Sequence, residues 1–414
     1  MTDIKDTTAC SPAYKDKKRL LFASLLLPYS LSTGYGMHFF YYIKLVSAYC
    51  NVTLVCFSDG ESGDVLGGLK PYCERIITVE HCIRATRHKI KASYNIARSF
   101  FSSFPCQLRK CYSARMKQVI NDVLQESDYD AVCAVDLGMA QYFTGREAPI
   151  KVVFKTYREP GYYSDLSRYS GNPAVKYFAS AESAKLKASE AAVLRCFDRI
   201  AVLTEDDSSY YRGILGEEKR YHVIPVAVDR EFFSPQGQSP PQENILLAGD
   251  MLWYPNFDQV NWFLDEIFPL LEASRPGIRL TIVGSGVTGG LFKKAKGRAV
   301  FFAGHKEDIR PYFKEASLLA APVRICGGGI RTKILSALAC GVPVISTPQA
   351  CKGAGFIPGE HLITANSPGE FKKGILELLD NQDLQRKIRA AGLSLIRERF
   401  SPDEVGLKLK AALT

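Results

Sequence analysis

No apolar run in these 414 residues approaches the ~20 needed to cross a bilayer as a helix. The longest near the start, 20–27, follows Lys15, Lys17, Lys18 and Arg19 but ends in Pro28-Tyr29 with no small-residue cleavage site. It therefore reads as a buried first strand rather than a leader. Cys-x-x-Cys pairs are missing too. The twelve cysteines are scattered, several inside apolar runs (Cys56, Cys133, Cys196, Cys340), as expected of reduced core residues in a cytoplasmic protein. Cys106 and Cys111 lie close in sequence but have no histidine nearby, so no metal site is expected. There is no internal repeat, no low-complexity segment and no GxxxxGK[ST] phosphate loop. With 46% apolar and 23% charged residues, a disordered, collagen-like or coiled-coil chain is excluded. The net charge of +10 leaves three partner classes: anionic substrates, an anionic membrane surface, or nucleic acid.

Short apolar runs alternate with segments of helical period. Strands are expected at 19–27, 52–57, 75–79, 131–135, 151–154, 199–203 and 222–225, and again at 244–248, 279–283, 299–302, 318–321, 343–346 and 361–363. Helices are expected at 36–49, 109–125, 256–273 and 330–339, among others. Such alternation predicts an α/β protein with parallel sheets covered on both faces. The polar Pro/Gln/Ser-rich stretch 233–243 reads as a linker between two doubly wound, Rossmann-like domains. The expected limits are 1–235 and 236–400, with 401–414 a final helix packing back toward the first domain. Ligands of open α/β sheets bind beyond the carboxyl ends of the strands, so two facing domains would enclose a cleft.

From Ala316 to Gly359 there is no Asp or Glu, while Arg324, Arg331, Lys333 and Lys352 are present. At the centre, a strand runs into Pro322-Val-Arg-Ile-Cys-Gly-Gly-Gly329 and a helix starts at once with Ile330-Arg-Thr-Lys333. The first turn of a helix favours acidic side chains, because its unpaired N–H groups carry partial positive charge. Here it holds cations, an arrangement that calls for an anion in the mouth of the turn. Gly327, Gly328 and Gly329 would let the backbone approach that anion closely. The reading is a phosphate or diphosphate site; the bland alternative is a flexible glycine loop with solvated cations.

A second glycine turn, with Gly34, Gly36 and His38, follows the first strand at the equivalent corner of the first domain. A plain tight turn and a packing histidine are the alternatives. Asp136, at the carboxyl end of 131–135, and Tyr157-Arg158-Glu159, after 151–154, are candidates to line the same cleft. Asp128-Tyr-Asp130 reads as a polar turn, and Glu190 as a solvated or structural residue. Between 83 and 121 there are nine Lys/Arg and no Asp/Glu, interleaved with aromatics such as Phe100 and Phe104. Such a segment suits peripheral contact with an anionic membrane, on its inner face for a cytoplasmic protein. Attraction of an anionic acceptor and a merely solvated surface remain open, and nucleic acid ranks last because no binding module accompanies the charge.

The second half resembles a known family. Gly249-Asp-Met-Leu-Trp-Tyr-Pro-Asn-Phe-Asp-Gln-Val-Asn-Trp-Phe263, Leu280-Thr-Ile-Val-Gly284, Gly304-His-Lys-Glu-Asp-Ile-Arg-Pro-Tyr312 and the run from Ala321 to Ser346 occur in order. Asp198-Arg-Ile-Ala-Val-Leu-Thr-Glu205 and the run from Val223 to Pro235 extend the likeness upstream. Together they resemble glycosyltransferase family 4, of the GT-B fold, in the branch found in bacterial polysaccharide gene sets. The resemblance implies a retaining, metal-independent transferase that moves a sugar from a nucleotide diphosphate-sugar to a glycan or lipid-linked hydroxyl acceptor. It implies that Arg324 and Lys333 clamp the diphosphate, and that Gly249, the Gly327–Gly329 turn, Ile330, Arg331, Thr332 and Ser336 surround the donor. Gly34, Gly36, His38, Asp136 and Arg158 would then line the acceptor side. Where the family usually carries Glu at the ribose, this chain has Ser336, and Gly328 stands at a second such position. A catalytically weak relative acting as a nucleotide- or glycan-binding module is the alternative that Ser336 raises.

Overall fold

The computed structural model describes residues 4–8, 17–28, 34–58, 68–81, 99, 102–235 and 243–414. They fall into two compact units, the first drawn from 1–30, 35–224 and 406–414, the second from 31–34 and 225–405.

The first unit is built on eight strands: β1 (Ile4–Thr8), β2 (Lys18–Ser24), β3 (Cys50–Ser58), β4 (Arg75–Glu80), β5 (Ala131–Val135), β6 (Lys151–Lys155), β7 (Arg199–Val202) and β8 (Arg220–Val223). Their order is β1-β4-β3-β2-β5-β6-β7-β8, and all pairings are parallel except β1 on β4. Every residue of β3 and β5 is buried; β5 is accordingly an unbroken apolar run, and β3 is mostly apolar with Asn51 and Thr53 among its buried residues. β1 was not expected: Lys5-Asp6-Thr7-Thr8 is polar, and only antiparallel pairing with β4 makes it the edge strand. Arg75 fixes that edge by bonding Asp6 and Glu126. At the other side, Arg199 Nη1 donates to the carbonyl of Ala412 at 2.8 Å, tying residues 406–414 into this unit.

The second unit carries β9 (Asn244–Ala248), β10 (Arg279–Val283), β11 (Val300–Gly304), β12 (Leu318–Ala321), β13 (Val344–Ser346) and β14 (Ile363–Thr364), all parallel, in the order β11-β10-β9-β12-β13-β14. The order reverses between β9 and β12, and a crevice opens at such a switch point. Phe263, Phe268, Phe371 and Trp262 pack the core beneath it. The helix expected at 256–273 starts at Tyr254, runs to Trp262 and widens into a π-helical turn over Phe263–Ile267. The helix expected at 109–125 is two, Cys106–Lys110 and Ala114–Glu126, because Ser113 caps the second by accepting from Met116 N. Part of the expected linker, 236–242, lies outside the described residues. Among the described residues, no helix is long and apolar enough to cross a membrane.

Two glycines close the top of this sheet. Gly284, after β10, has φ +146°, and a Cβ there would stand 2.0 Å from the carbonyl oxygen of Gly249, which follows β9. Gly284→Ala is expected to lower stability by about 2 kcal/mol or more, combining that clash with a backbone region closed to alanine. Thermal melting of the purified variant checks this, and an unchanged melting temperature would contradict it.

Candidate functional site

At the switch point, β12 leads into Pro322 and the glycine turn, while β9 leads through Gly249 into the helix Tyr254–Trp262. The turn is pinned from below: Ser346 Oγ donates to the carbonyl of Ala321 at 2.8 Å, and Thr347 Oγ1 to that of Val323. Gly327, Gly328 and Gly329 follow with φ of +66°, +88° and +74°. Three successive left-handed residues are accessible to glycine at no steric penalty. The helix Thr332–Ala339 then begins with Arg331 in the cap position, no side-chain cap and no acid in its first turn. Its leading N–H groups thus have no carboxylate partner from within the helix.

Arg324 and Lys333 both reach one helix, Tyr254–Trp262. Arg324 donates from Nε and Nη2 to the two carboxylate oxygens of Asp258, at 3.1 and 2.7 Å, and lies 4.6 Å over the ring of Trp262. Lys333 Nζ donates to Asn256 Oδ1 at 2.8 Å and to Gln259 Oε1 at 3.1 Å. Burial, and secondarily the guanidinium of Arg331, press the Lys333 ammonium down to about 7. Arg331 donates to the carbonyl of Gly328 and keeps its Nε buried with no hydrogen-bond partner among the described residues. Ile330 and Ser336 are buried, and Thr332 is half-buried at the first helical position. In the sequence, Asn256, Asp258 and Gln259 stand out only as part of the motif 249–263. They lie some 70 residues from the cations they hold, and no local periodicity announces such a contact.

In the first unit, Asp136 and Glu159 meet at a different centre, around Lys155. Asp136 sits just beyond β5 at φ +53°, a left-handed conformation that Asp and Asn tolerate better than other side chains. Its carboxylate accepts from the N–H and Oγ1 of Thr156, at 2.7 and 2.6 Å. Beside it, Lys155 bonds Glu159 and stands 3.4 Å from Glu190, each side chain nearly solvent-free. Glu159 accepts from Leu137 N at 3.0 Å, and Glu190 from Tyr211 Oη at 2.8 Å. Burial pushes the Asp136 and Glu190 carboxyls up to about 7, against the pull of Lys155 and with Glu159 adding to the rise. Burial acts to lower the Lys155 ammonium, but the three carboxylates outweigh it and push it up. Glu190 is thus a structural residue of a buried cluster, not a solvated one. Arg158 bonds Asp207 and lies 5.0 Å over Tyr210.

His38 is buried against Phe39 and Tyr42, each ring centroid 4.3 Å away, and its Nε2 has no partner among the described residues. Burial lowers it to about 3, so the ring is neutral. Gly34 opens the helix Gly34–Val46 and Gly36 is buried in its first turn. Asp130 accepts from Arg19 N at 2.8 Å, tying the Asp128–Asp130 turn to the start of β2. Of the basic stretch 83–121, residues 83–98, 100 and 101 lie outside the described residues.

The pH dependence of the buried cluster follows from the raised carboxyls. Between about pH 4 and pH 7 the folded chain holds protons on Asp136 and Glu190 that the unfolded chain has lost, so their contribution to stability falls as pH rises through that window. Asp136→Asn, which keeps the left-handed turn, is expected to flatten that fall and to melt at or above wild type near pH 8. A melting series across the window checks it.

Residues 242–381 match the family described as glycosyl transferases group 1. A 44.6 kDa protein from the cps region of Klebsiella pneumoniae is 25% identical over 171 residues, 39% of this chain and 44% of that relative, so the chain spans less than half of the curated relative's length. Sucrose-phosphate synthase from Thermosynechococcus elongatus superimposes with a TM-score of 0.72 at 15% identity, over 95% of this chain and 98% of that one. Anabaena HepE in complex with UDP and glucose gives 0.65 at 12%, over 96% and 99%. The two parallel-sheet units thus have the GT-B fold of glycosyltransferases, and the group 1 match falls on the unit that holds the glycine turn, Arg324 and Lys333.

Proposed function

We propose that this chain is a retaining glycosyltransferase that moves a sugar from a nucleotide diphosphate-sugar to a hydroxyl of a glycan or lipid-linked acceptor. The observation that carries it is the pair Arg324 and Lys333, held by neighbouring positions of one helix beside three left-handed glycines and a helix start without acids. A diphosphate supplies the missing negative charge. In the reaction the bond between the anomeric carbon and the donor phosphate breaks and the acceptor oxygen bonds that carbon on the same face. The acceptor's proton passes to the departing phosphate oxygen, so no side-chain base is needed. Arg324 and Lys333 stabilise the charge growing on the leaving diphosphate, and preorganised charge of this kind is commonly the largest catalytic contribution. With two cations in that role no metal is required. The UDP and glucose of the HepE complex fit this donor class.

Purified protein assayed with a panel of nucleotide sugars and short glycan acceptors should transfer or slowly hydrolyse at least one donor, with turnover kept in EDTA. Binding without turnover across the panel would instead favour a binding module, the outcome that Ser336 in place of Glu raises. No binding at all would overturn the proposal.

A further inference from the structure

The helix Tyr254–Trp262 holds its two cations by different chemistry. Asp258, itself buried, gives the half-buried Arg324 a full counter-charge through both carboxylate oxygens. Among the described residues, Lys333 bonds neutral amide oxygens alone, Oδ1 of Asn256 and Oε1 of Gln259. Both amides are locked from behind. Asn256 Nδ2 donates to the carbonyl of Asp250 at 2.9 Å, and Gln259 Nε2 to that of Ala248 at 3.0 Å. Reversing either amide would set an NH2 against the ammonium and one carbonyl against another, so the network assigns their orientation. Gln259 is 0% exposed, and a Cβ on Gly249 would stand 2.5 Å from Asn256 Cγ, so neither amide has room to turn away.

Among the described residues, Arg331, Cys326 and Asp258 are the charged or titratable groups near Lys333. Arg331, from the cap of its own helix, repels it; the thiol of Cys326, from the turn, favours its charged form. Asp258, from the opposite helix, is already matched by Arg324. A carboxylate at 256 or 259 would hold Lys333 as firmly, but it would also neutralise the ammonium before any ligand arrived.

Resting on the nucleotide-sugar reading above, we propose that Asn256 and Gln259 are positioning residues for the donor: their paired amide oxygens aim the Lys333 ammonium while leaving its charge uncompensated, so that the diphosphate itself becomes the counter-ion. Burial and Arg331 hold Lys333 near 7, where part of the population is neutral. A bound diphosphate favours the charged form, so binding draws a proton from solution, more at about pH 8 than at about pH 6.

Two measurements on the full chain test this. Acetic anhydride labelling of Lys333 in the unliganded protein, read by peptide mass spectrometry across pH, should show a midpoint near 7. Asn256→Asp should raise that midpoint by about one pH unit or more, by giving the lysine a carboxylate. Calorimetry with UDP-glucose and GDP-mannose, whose diphosphates do not titrate in this range, should show proton uptake near pH 8 in wild type. Asn256→Asp should remove the uptake and weaken binding about tenfold. Asn256→Ser, which alters no charge, should keep the uptake and raise Kd by about the same factor. If a sugar nucleotide binds wild type but the labelling midpoint and proton uptake are unchanged in Asn256→Asp, or if Asn256→Ser binds as wild type, the positioning role falls while the donor reading stands. If neither nucleotide binds wild type, both fall together.

Discussion

Replacing Arg324 or Lys333 with alanine is expected to cut turnover by about 10²–10³-fold, as the loss of one preorganised charge partner does in acyl transfer. The two variants should differ in stability, and the difference separates the roles. Arg324→Ala strips the buried carboxylate of Asp258 of its counter-charge, so part of its effect will be a lowered melting temperature. Lys333 is different. Its proton affinity in the folded chain is depressed from 10.5 to about 7, first by burial. Between these values the unfolded chain holds more protons than the folded one, so stability attached to this group rises with pH across the window and is least below about pH 7. Lys333→Met, which removes the charge and keeps most of the volume, should therefore be inactive yet melt above wild type at about pH 6. A site residue that lowers stability is the expected mark of a group kept for its chemistry. Melting curves of Lys333→Met at two pH values, beside a transfer assay, check both halves; wild-type turnover in either alanine variant would remove these side chains from the mechanism.

The candidate site is legible in the sequence because its main signal is local. A helix start holding Arg331 and Lys333 with no acid near it is anomalous within a dozen residues, and three glycines in a row mark where the backbone turns. The buried parallel strands were equally legible: β5 is an unbroken apolar run and β3 a mostly apolar one, whereas β1, polar after Ile4, has no signal apart from its partner β4. What escaped was long-range. Asn256, Asp258 and Gln259 look like ordinary polar residues on an amphipathic helix until the fold brings position 333 to them. Ser113 and its cap split a helix that apolar period alone would run through. Lys155 carries a weak signal: a lysine closing an apolar strand, with an acid four residues on at Glu159, is a charge that burial forces to pair.

Lys155→Met should be the most destabilising single change in the first unit. It leaves Glu159, Glu190 and Asp136 together in the interior with no cation among them, and an uncompensated buried charge commonly costs about 3–5 kcal/mol. At about 2–4 °C per kcal/mol for a unit of this size, the melting temperature near pH 8 should fall by roughly 6–20 °C. Protonation is the cluster's remaining way to shed charge, so the deficit relative to wild type should shrink as pH is lowered toward about 5, through the range where Asp136 and Glu190 take up protons. Glu159→Gln added to Lys155→Met should recover part of the loss, because it removes the carboxylate bonded most directly to the lysine and keeps an oxygen for Leu137 N. A deficit of equal size at both pH values, with no recovery in the double variant, would mean that Lys155 holds β6 by packing alone, and the charge balance argued for this cluster would fail. The expected pattern instead makes Lys155 the group that allows three carboxylates to lie beyond the ends of β5 and β6, where open α/β sheets place their ligand-binding loops.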